Sequence, residues 1–327
     1  MKSNFARLTT AMAVLLFAAT LTAEAQQAGK VYRIGVLAVA SWPPFESFRK
    51  GLQDLGYVEG RDVGIEYRWS EGRLERLPDL AAELVRLNVD VIVTWGTPAT
   101  KAAKNASATV PIVMAASAEP VTAGLVSSLA RPGGNVTGLA AHNPELEGKR
   151  MELLKELVPR LTRVAILGAR GDNLYPVWLT EAQNAARGLG VQLRPVEVSN
   201  FADATLKEAF TRMTRERAEA LVVAPNTVAV LRRTQIAALA AKHRLPAVYL
   251  HTEHVHAGGL MAYGPDYHEL FRRAASYVDR ILKGTRPADL PVERATRFEL
   301  VINLKTARTL GLTIPPSLLL RADQIIE

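Results

Sequence analysis

The sequence predicts an α/β protein built from two doubly wound parallel-sheet lobes in tandem, joined by a multi-strand hinge. Three observations predict it. The chain has 327 residues, more than one hydrophobic core usually serves. Short, wholly apolar strand-like runs alternate with amphipathic helical segments, the pattern of a parallel sheet covered on both faces. The same succession of elements also occurs twice.

The first pass begins at Arg33. Ile34–Val39 reads as a buried strand, followed by the loop Ser41-Trp42-Pro43-Pro44 and a helix from about Phe45 to Leu55 that stops at Gly56, since glycine just past the last periodic residue is a helix stop. Strand Val63–Tyr67, a helix over about 76–87, strand Asp90–Thr94, the loop Gly96-Thr97-Pro98, a helix to about Ala106 and strand Pro111–Met114 follow. The second pass starts at Arg163. It runs through strand Val164–Leu167, a loop over 169–176, a helix over about 177–189 stopping at Gly190, strand Val191–Val198, a helix over about 204–215, strand Ala220–Val223, the loop Pro225-Asn226-Thr227, a helix to about His243 and strand Pro246–Leu250. The offsets are nearly constant: Ile34 to Val164 is 130, Gly56 to Gly190 is 134, Ile92 to Val222 is 130 and Pro111 to Pro246 is 135. Right-handed crossovers turn each pass into a doubly wound domain.

The tail breaks the repeat. Strand Gly259–Tyr263, an amphipathic helix over 265–282 with Leu270, Ala274, Tyr277, Val278 and Ile281 on one face, strand Phe298–Ile302 and a helix over 304–310 are expected there. The predicted division is residues 1–25 as an export signal, 30–140 plus about 262–288 as lobe 1, and 141–261 plus about 289–327 as lobe 2.

The N-terminus reads as a secretory signal. Lys2 and Arg7 precede an apolar run over 8–21, which ends in Ala23-Glu24-Ala25, the three parts of a cleavable signal peptide. The run is short for a ~20-residue spanning helix. Cleavage near Ala25 and a periplasmic location are therefore expected. With no cysteine in the chain, disulfides, thiolate chemistry and a lipid-bearing cysteine are excluded. The formal charge is +8, of which Lys2, Arg7 and Glu24 contribute a net +1. The remaining basic residues are interspersed with acids, as in Arg215-Glu216-Arg217, so a solvated mixed surface is expected rather than a nucleic-acid face.

In open parallel sheets ligands bind beyond the carboxyl ends of the strands, so loops from both lobes should wall one cleft. The candidate binding residues are Ser41, Trp42, Phe45, Gly96, Thr97 and Glu119 from the first pass. Asn173, Tyr175, Asn226, Thr227, His251, Glu253 and Tyr263 come from the second pass and the tail. The loops carrying Thr97, Asn173 and Asn226 lead into helices, whose first turns offer free N–H groups and partial positive charge to an anion such as a carboxylate. Trp42, Phe45 and Tyr175 offer faces for an aromatic or apolar ligand, the alternative for Trp42 and Phe45 being that they cap the end of the sheet. Glu119 and Glu253 are acids near the proposed cleft that either receive a ligand amine or lie on the surface. The run Arg131–Gly138 lacks the lysine and Ser/Thr of a phosphate loop and reads as a turn into a strand. His251, His254 and His256 do not have metalloprotease spacing, and there is no nucleophile elbow. No cofactor, metal or catalytic group is expected.

Several runs carry a family likeness: Gly51-Leu52-x-x-Leu55-Gly56-Tyr57-x-Glu59-Gly60, Leu80–Val85, Ala130–Gly138, Gly258–Gly264, Phe271–Ala275 with Ile281–Gly284 and Pro287–Val292, and Phe298–Ala307. Over nearly the whole chain after the signal, the sequence resembles the substrate-binding proteins of ABC importers, in the group related to tryptophan- and tyrosine-binding members. The resemblance implies the type I periplasmic binding fold, three crossovers between lobes, closure around a small molecule, and an ABC permease in the inner membrane as partner. A monomer without nucleic-acid partners is expected. Ala118-Glu119-Pro120 stands where relatives often carry a Gly-Asp-Pro type of step. The same fold serves transcriptional regulators, but a DNA-reading helix-turn-helix would stand where the export signal stands. A periplasmic sensor for a receptor is the alternative function, and an α/β enzyme the third.

Overall fold

The computed structural model describes residues 30–141 and 145–327. The export signal expected at residues 1–25 lies outside the described residues. The first lobe contains β1 (Tyr32–Ala38), α1 (Pro44–Asp54), β2 (Val63–Trp69), α2 (Leu77–Arg86), β3 (Val91–Trp95), α3 (Thr97–Ala106), β4 (Ile112–Ser117) and β5 (Val136–Ala140). The second contains α4 (Glu145–Leu157), β6 (Arg163–Ala169), α5 (Tyr175–Gly188), β7 (Gln192–Val198), α6 (Asp203–Arg215), β8 (Ala220–Val223), α7 (Thr227–Leu231), α8 (Arg233–Lys242), β9 (Ala247–Tyr249), α9 (Glu253–His256) and β10 (Met261–Pro265). The tail adds α10 (Tyr267–Leu282), β11 (Glu293–Arg294), β12 (Phe298–Asn303), α11 (Leu304–Thr309), α12 (Pro316–Leu319) and β13 (Gln324–Ile326).

One sheet has the order β11-β5-β4-β3-β1-β2 and the other β13-β12-β10-β9-β8-β6-β7. Within each, the first five strands follow the same permutation, β2-β1-β3-β4-β5 and β7-β6-β8-β9-β10, so the sequence repeat is also a repeat of topology. The strand pairs run parallel except β10 with β12. Strand order reverses between β1 and β3 in one lobe and between β6 and β8 in the other, which places a crevice at the carboxyl end of each sheet.

The chain passes between lobes after β5, between β10 and α10, and between β11 and β12. These crossings correct the expected division in two places. Strand β10 belongs to the second sheet: Met261 and Ala262 pair with Val248 and Tyr249, and the whole strand pairs with β12. Residues 289–294 belong with the first lobe, where Leu290 and Val292 are buried and Glu293–Arg294 pair with Leu139–Ala140. Hydrogen bonding to neighbouring strands, which an apolar pattern does not specify, decides both.

Helix α10 carries the apolar stripe read from the sequence. Leu270, Phe271, Ala274, Ala275, Tyr277, Val278 and Ile281 are buried in the first lobe's core with Phe45, Phe48 and Leu52 of α1. Burying side chains of this size stabilises by roughly 1.5–3 kcal/mol each. The two helices meet at Gly51, where a Cβ would lie 2.8 Å from the Arg272 carbonyl oxygen, so a larger residue would push α10 off the lobe. The expected helix starts at Tyr267 rather than Pro265, because Asp266 Oδ1 accepts the Glu269 N–H at 2.9 Å and sets the first turn. The single helix expected up to His243 is two, α7 and α8, interrupted at Arg232.

Helix α4 was not anticipated. Its inward face carries Glu147 and Arg150, both 0% exposed and hydrogen-bonded to each other, which breaks the apolar periodicity expected of a buried helix face.

Candidate functional site

A cavity of about 790 Å³ lies where the carboxyl ends of the two sheets face each other. Its first-lobe wall comes from the β3–α3 turn (Trp95, Gly96, Thr97, Pro98), Lys101, Thr122, Gly72, Leu74 and Glu75. Its second-lobe wall comes from the β6–α5 loop (Ala169–Leu174), Trp178, Ser199–Phe201, the β8–α7 turn (Pro225–Val228) and His251, with Tyr267 at the second crossover. Both lobes therefore use the strand ends beside their point of order reversal.

The β3–α3 turn is held firmly. Gly96 has φ +84, open to glycine at little cost, and its carbonyl accepts Thr100 Oγ1–H at 3.1 Å. Thr97 Oγ1 donates to the Ala118 carbonyl at 3.1 Å and lies 3.2 Å from Ser117 Oγ. Pro98 in the first turn has no N–H to leave unpaired. Gly96, Thr97 and Pro98 thus place the start of α3 at the cavity wall, with Lys101 one turn on.

The opposite wall is organised by Asp172. Its Oδ1 accepts the Leu174 N–H at 3.0 Å and its Oδ2 accepts the Asn226 amide at 3.0 Å. Asn226 in turn caps α7, accepting the N–H groups of Val228 at 2.9 Å and Ala229 at 3.2 Å. Among the described residues no cation forms an ion pair with Asp172. The site therefore offers a fixed carboxylate opposite a helix N-terminus.

The remaining walls are aromatic. Trp95, Trp178, His251 and Tyr267 line the cavity; His251 stacks on Tyr267 with centroids 4.7 Å apart at 21°. Burial pushes the His251 imidazole well below its usual range, helped by the nearby His254 and the Arg150 guanidinium, so His251 presents a neutral ring.

Of the residues expected from the sequence, Gly96, Thr97, Asn173, Asn226, Thr227 and His251 line this cavity. The others lie elsewhere. Trp42 is 4% exposed and does not line the cavity; it is stacked on Trp95, which does, at 4.1 Å and 17°. Ser41, Trp42 and Phe45 instead border a separate concavity of about 570 Å³ with Glu46, Arg49, Glu59, Tyr67 and Trp69. The Tyr175 ring turns inward onto Gly168, where any Cβ would fall inside the ring, and burial raises its phenol to about 12. Glu119 points to the hinge, 4.0 Å from Arg294. Glu253 is half-buried, and desolvation pushes its carboxyl up. Tyr263 stacks on Phe298 along the β10–β12 ladder.

Sequence reasoning missed Asp172, Trp95, Lys101, Trp178 and Tyr267. Asp172 stands beside Asn173 in the loop over 169–176. Trp95 ends a wholly apolar strand, so its pattern is that of a core residue.

Two parallel α/β lobes, tied by three crossings and sharing a cavity at the carboxyl ends of both sheets, define the class of two-lobed solute-binding proteins of the type I periplasmic fold. The family model described as ABC transporter substrate binding protein matches residues 36–326, and the chain belongs to that family. It is similar to a tyrosine-binding protein of Clostridioides difficile, 25% identical over 287 residues that cover 86% of this chain and 82% of that one. Among solved structures it is similar to an ABC domain from Streptococcus pneumoniae in complex with L-Trp, with TM-score 0.83, 30% identity and coverage of 91% of this chain and 100% of the other. A conserved domain protein from Vibrio cholerae is similar with TM-score 0.84, 28% identity and coverage of 90% and 100%. Among the described residues no helix is long and apolar enough to cross a membrane, and no group of three or more His, Asp or Glu side chains is placed to hold a metal ion.

Proposed function

We propose that this chain is the periplasmic capture component of an ABC importer and that its ligand is an aromatic amino acid. The observation that carries the reading is the pairing of opposite polar features across an aromatic cavity. The Asp172 carboxylate, held by Leu174 and Asn226 and free of any ion pair among the described residues, stands on one wall. The first turn of α3 and Lys101 stand on the other.

An ammonium group would pair with Asp172. A carboxylate would take the N–H groups at the start of α3. The side chain would lie among Trp95, Trp178, His251 and Tyr267, where ring contacts add about 0.5–1.5 kcal/mol beyond area burial. The volume of about 790 Å³ falls within the usual range for small-molecule sites. Relatives that bind tyrosine and L-Trp support the same choice. The export signal read at residues 1–25 would deliver the protein to the periplasm, and an inner-membrane permease would receive the ligand from the closed form.

The test is a calorimetric and thermal-shift series on residues 26–327 with L-tryptophan, L-tyrosine, tryptamine and indole-3-propionate. Binding of the two amino acids, with weaker binding of both analogues that lack one charged group, is expected. A concentration-dependent rise in melting temperature with sugars or purines instead would overturn the assignment.

A further inference from the structure

We propose that α7 is a latch coupling occupation of the cavity to closure of the lobes, and that Val230 and Leu231 are positioning residues for binding although neither lines the cavity. The proposal rests on the binding function above only for the choice of probe.

Helix α7 follows β8 and belongs by sequence to the second lobe, yet its side chains are divided between the two cores. Ala229 is buried in the second lobe's cluster with Leu221, Val223 and Ile236. The next residue, Val230, is 1% exposed in the first lobe's cluster, with Trp42, Phe45 and Trp95. At the near end of the helix, Thr227 meets Gly96 of the first lobe. At the far end, Leu231 Cδ1 lies 3.4 Å from where a Cβ on Gly72 would be. The first lobe thus presents two glycines where α7 approaches.

The helix is fixed to the second lobe at both ends. The Asn226 side chain caps it with two hydrogen bonds, and at its other end Arg232 ends α7 and starts α8, with the Arg233 guanidinium donating to the Val230 carbonyl at 3.1 Å. Asn226 and Thr227 line the cavity while Val230 is seated in the other lobe's core. A ligand that holds the start of α7 against the first lobe therefore favours the arrangement in which Val230 is buried, and burial of Val230 favours the closed site. Parting the lobes would return Val230 to water. A residue that changes only the closing equilibrium changes apparent affinity in proportion to the competent fraction.

The chain has no cysteine, so dyes placed at D79C and E208C, exposed positions on α2 and α6, report the inter-lobe distance by fluorescence energy transfer. Val230→Thr keeps the shape and replaces a methyl by a hydroxyl within the apolar cluster of Trp42, Phe45 and Trp95, which opposes burial. In the ligand-free protein, V230T is expected to shift the distances toward longer values. Its Kd for L-tryptophan should rise about tenfold, with the saturated distance unchanged. If V230T lowers the urea midpoint but leaves the ligand-free distances as in the unsubstituted protein, Val230 is an ordinary core residue and the latch is overturned, whatever binds. If V230T opens the lobes and the unsubstituted protein ignores both L-tryptophan and L-tyrosine, the latch stands and the aromatic amino acid assignment falls.

Discussion

Gly96 and Thr227 meet across the cleft so closely that a Cβ on Gly96 would lie 2.7 Å from Thr227 Cγ2. Gly96→Ala therefore acts twice, through its φ of +84 and through a collision between the lobes. We expect it to weaken amino acid binding at least tenfold and to enlarge the particle in small-angle scattering. Gly60→Ala, at φ +86 with nothing within 4 Å, carries only the backbone cost of about 1–2 kcal/mol. Its effect should appear in urea unfolding and not in affinity.

Asp172→Asn keeps the shape and an acceptor for the Leu174 N–H while removing the charge. Affinity for L-tryptophan should fall by roughly 1.5–3 kcal/mol, the range for a hydrogen bond to a charged group. Indole-3-propionate, which lacks the amine, should bind the variant at least as well as the parent. Calorimetry with both ligands separates loss of ammonium recognition from general damage to the loop.

Trp42→Ala tests the corrected placement of that residue. Because Trp42 is buried against Trp95, Tyr267 and Phe271, truncation should cost about 3–5 kcal/mol in urea-derived stability. Removal of a ligand-facing ring alone would leave stability nearly unchanged.

Acid should destabilise the protein partly through His254. Burial lowers its imidazole to about 3, and the ring stacks on Tyr249 at 4.6 Å and 12°. Between pH ~6.5 and about 3 the unfolded chain binds a proton there that the folded chain does not. Stability from this group therefore falls with pH, at up to about 1.4 kcal/mol per unit. His251 acts in the same direction, while burial raises the Glu147 and Glu253 carboxyls and opposes it. His254→Phe should flatten the slope between pH 6.5 and 5, read as the difference between two series of urea unfolding curves.

The Glu147–Arg150 pair is fully buried, and Arg150 Nε and Nη1 find no further hydrogen-bond partner among the described residues. Glu147→Leu alone strands the guanidinium and should cost about 3–5 kcal/mol, whereas Glu147→Leu combined with Arg150→Met should recover most of it. Equilibrium unfolding of the single and double variants decides this.

The sequence alone determined the α/β class, the repeated unit and most strands and helices, because apolar periodicity and glycine stops act over a few residues and are written locally. It also marked the turns at Gly96-Thr97 and Asn226-Thr227, since a strand end running into a helix start is a local signal. Only the tertiary structure decided which tryptophan lines the cavity, since Trp42 and Trp95 are alike as buried aromatics. It alone assigned β10 and β11 to their sheets, through hydrogen bonds to strands remote in sequence. It alone divided Ala229 and Val230 between two cores. Those outcomes depend on contacts between segments far apart in the chain, within each sheet and between the two lobes, and no short window along the chain contains both sides of such a contact.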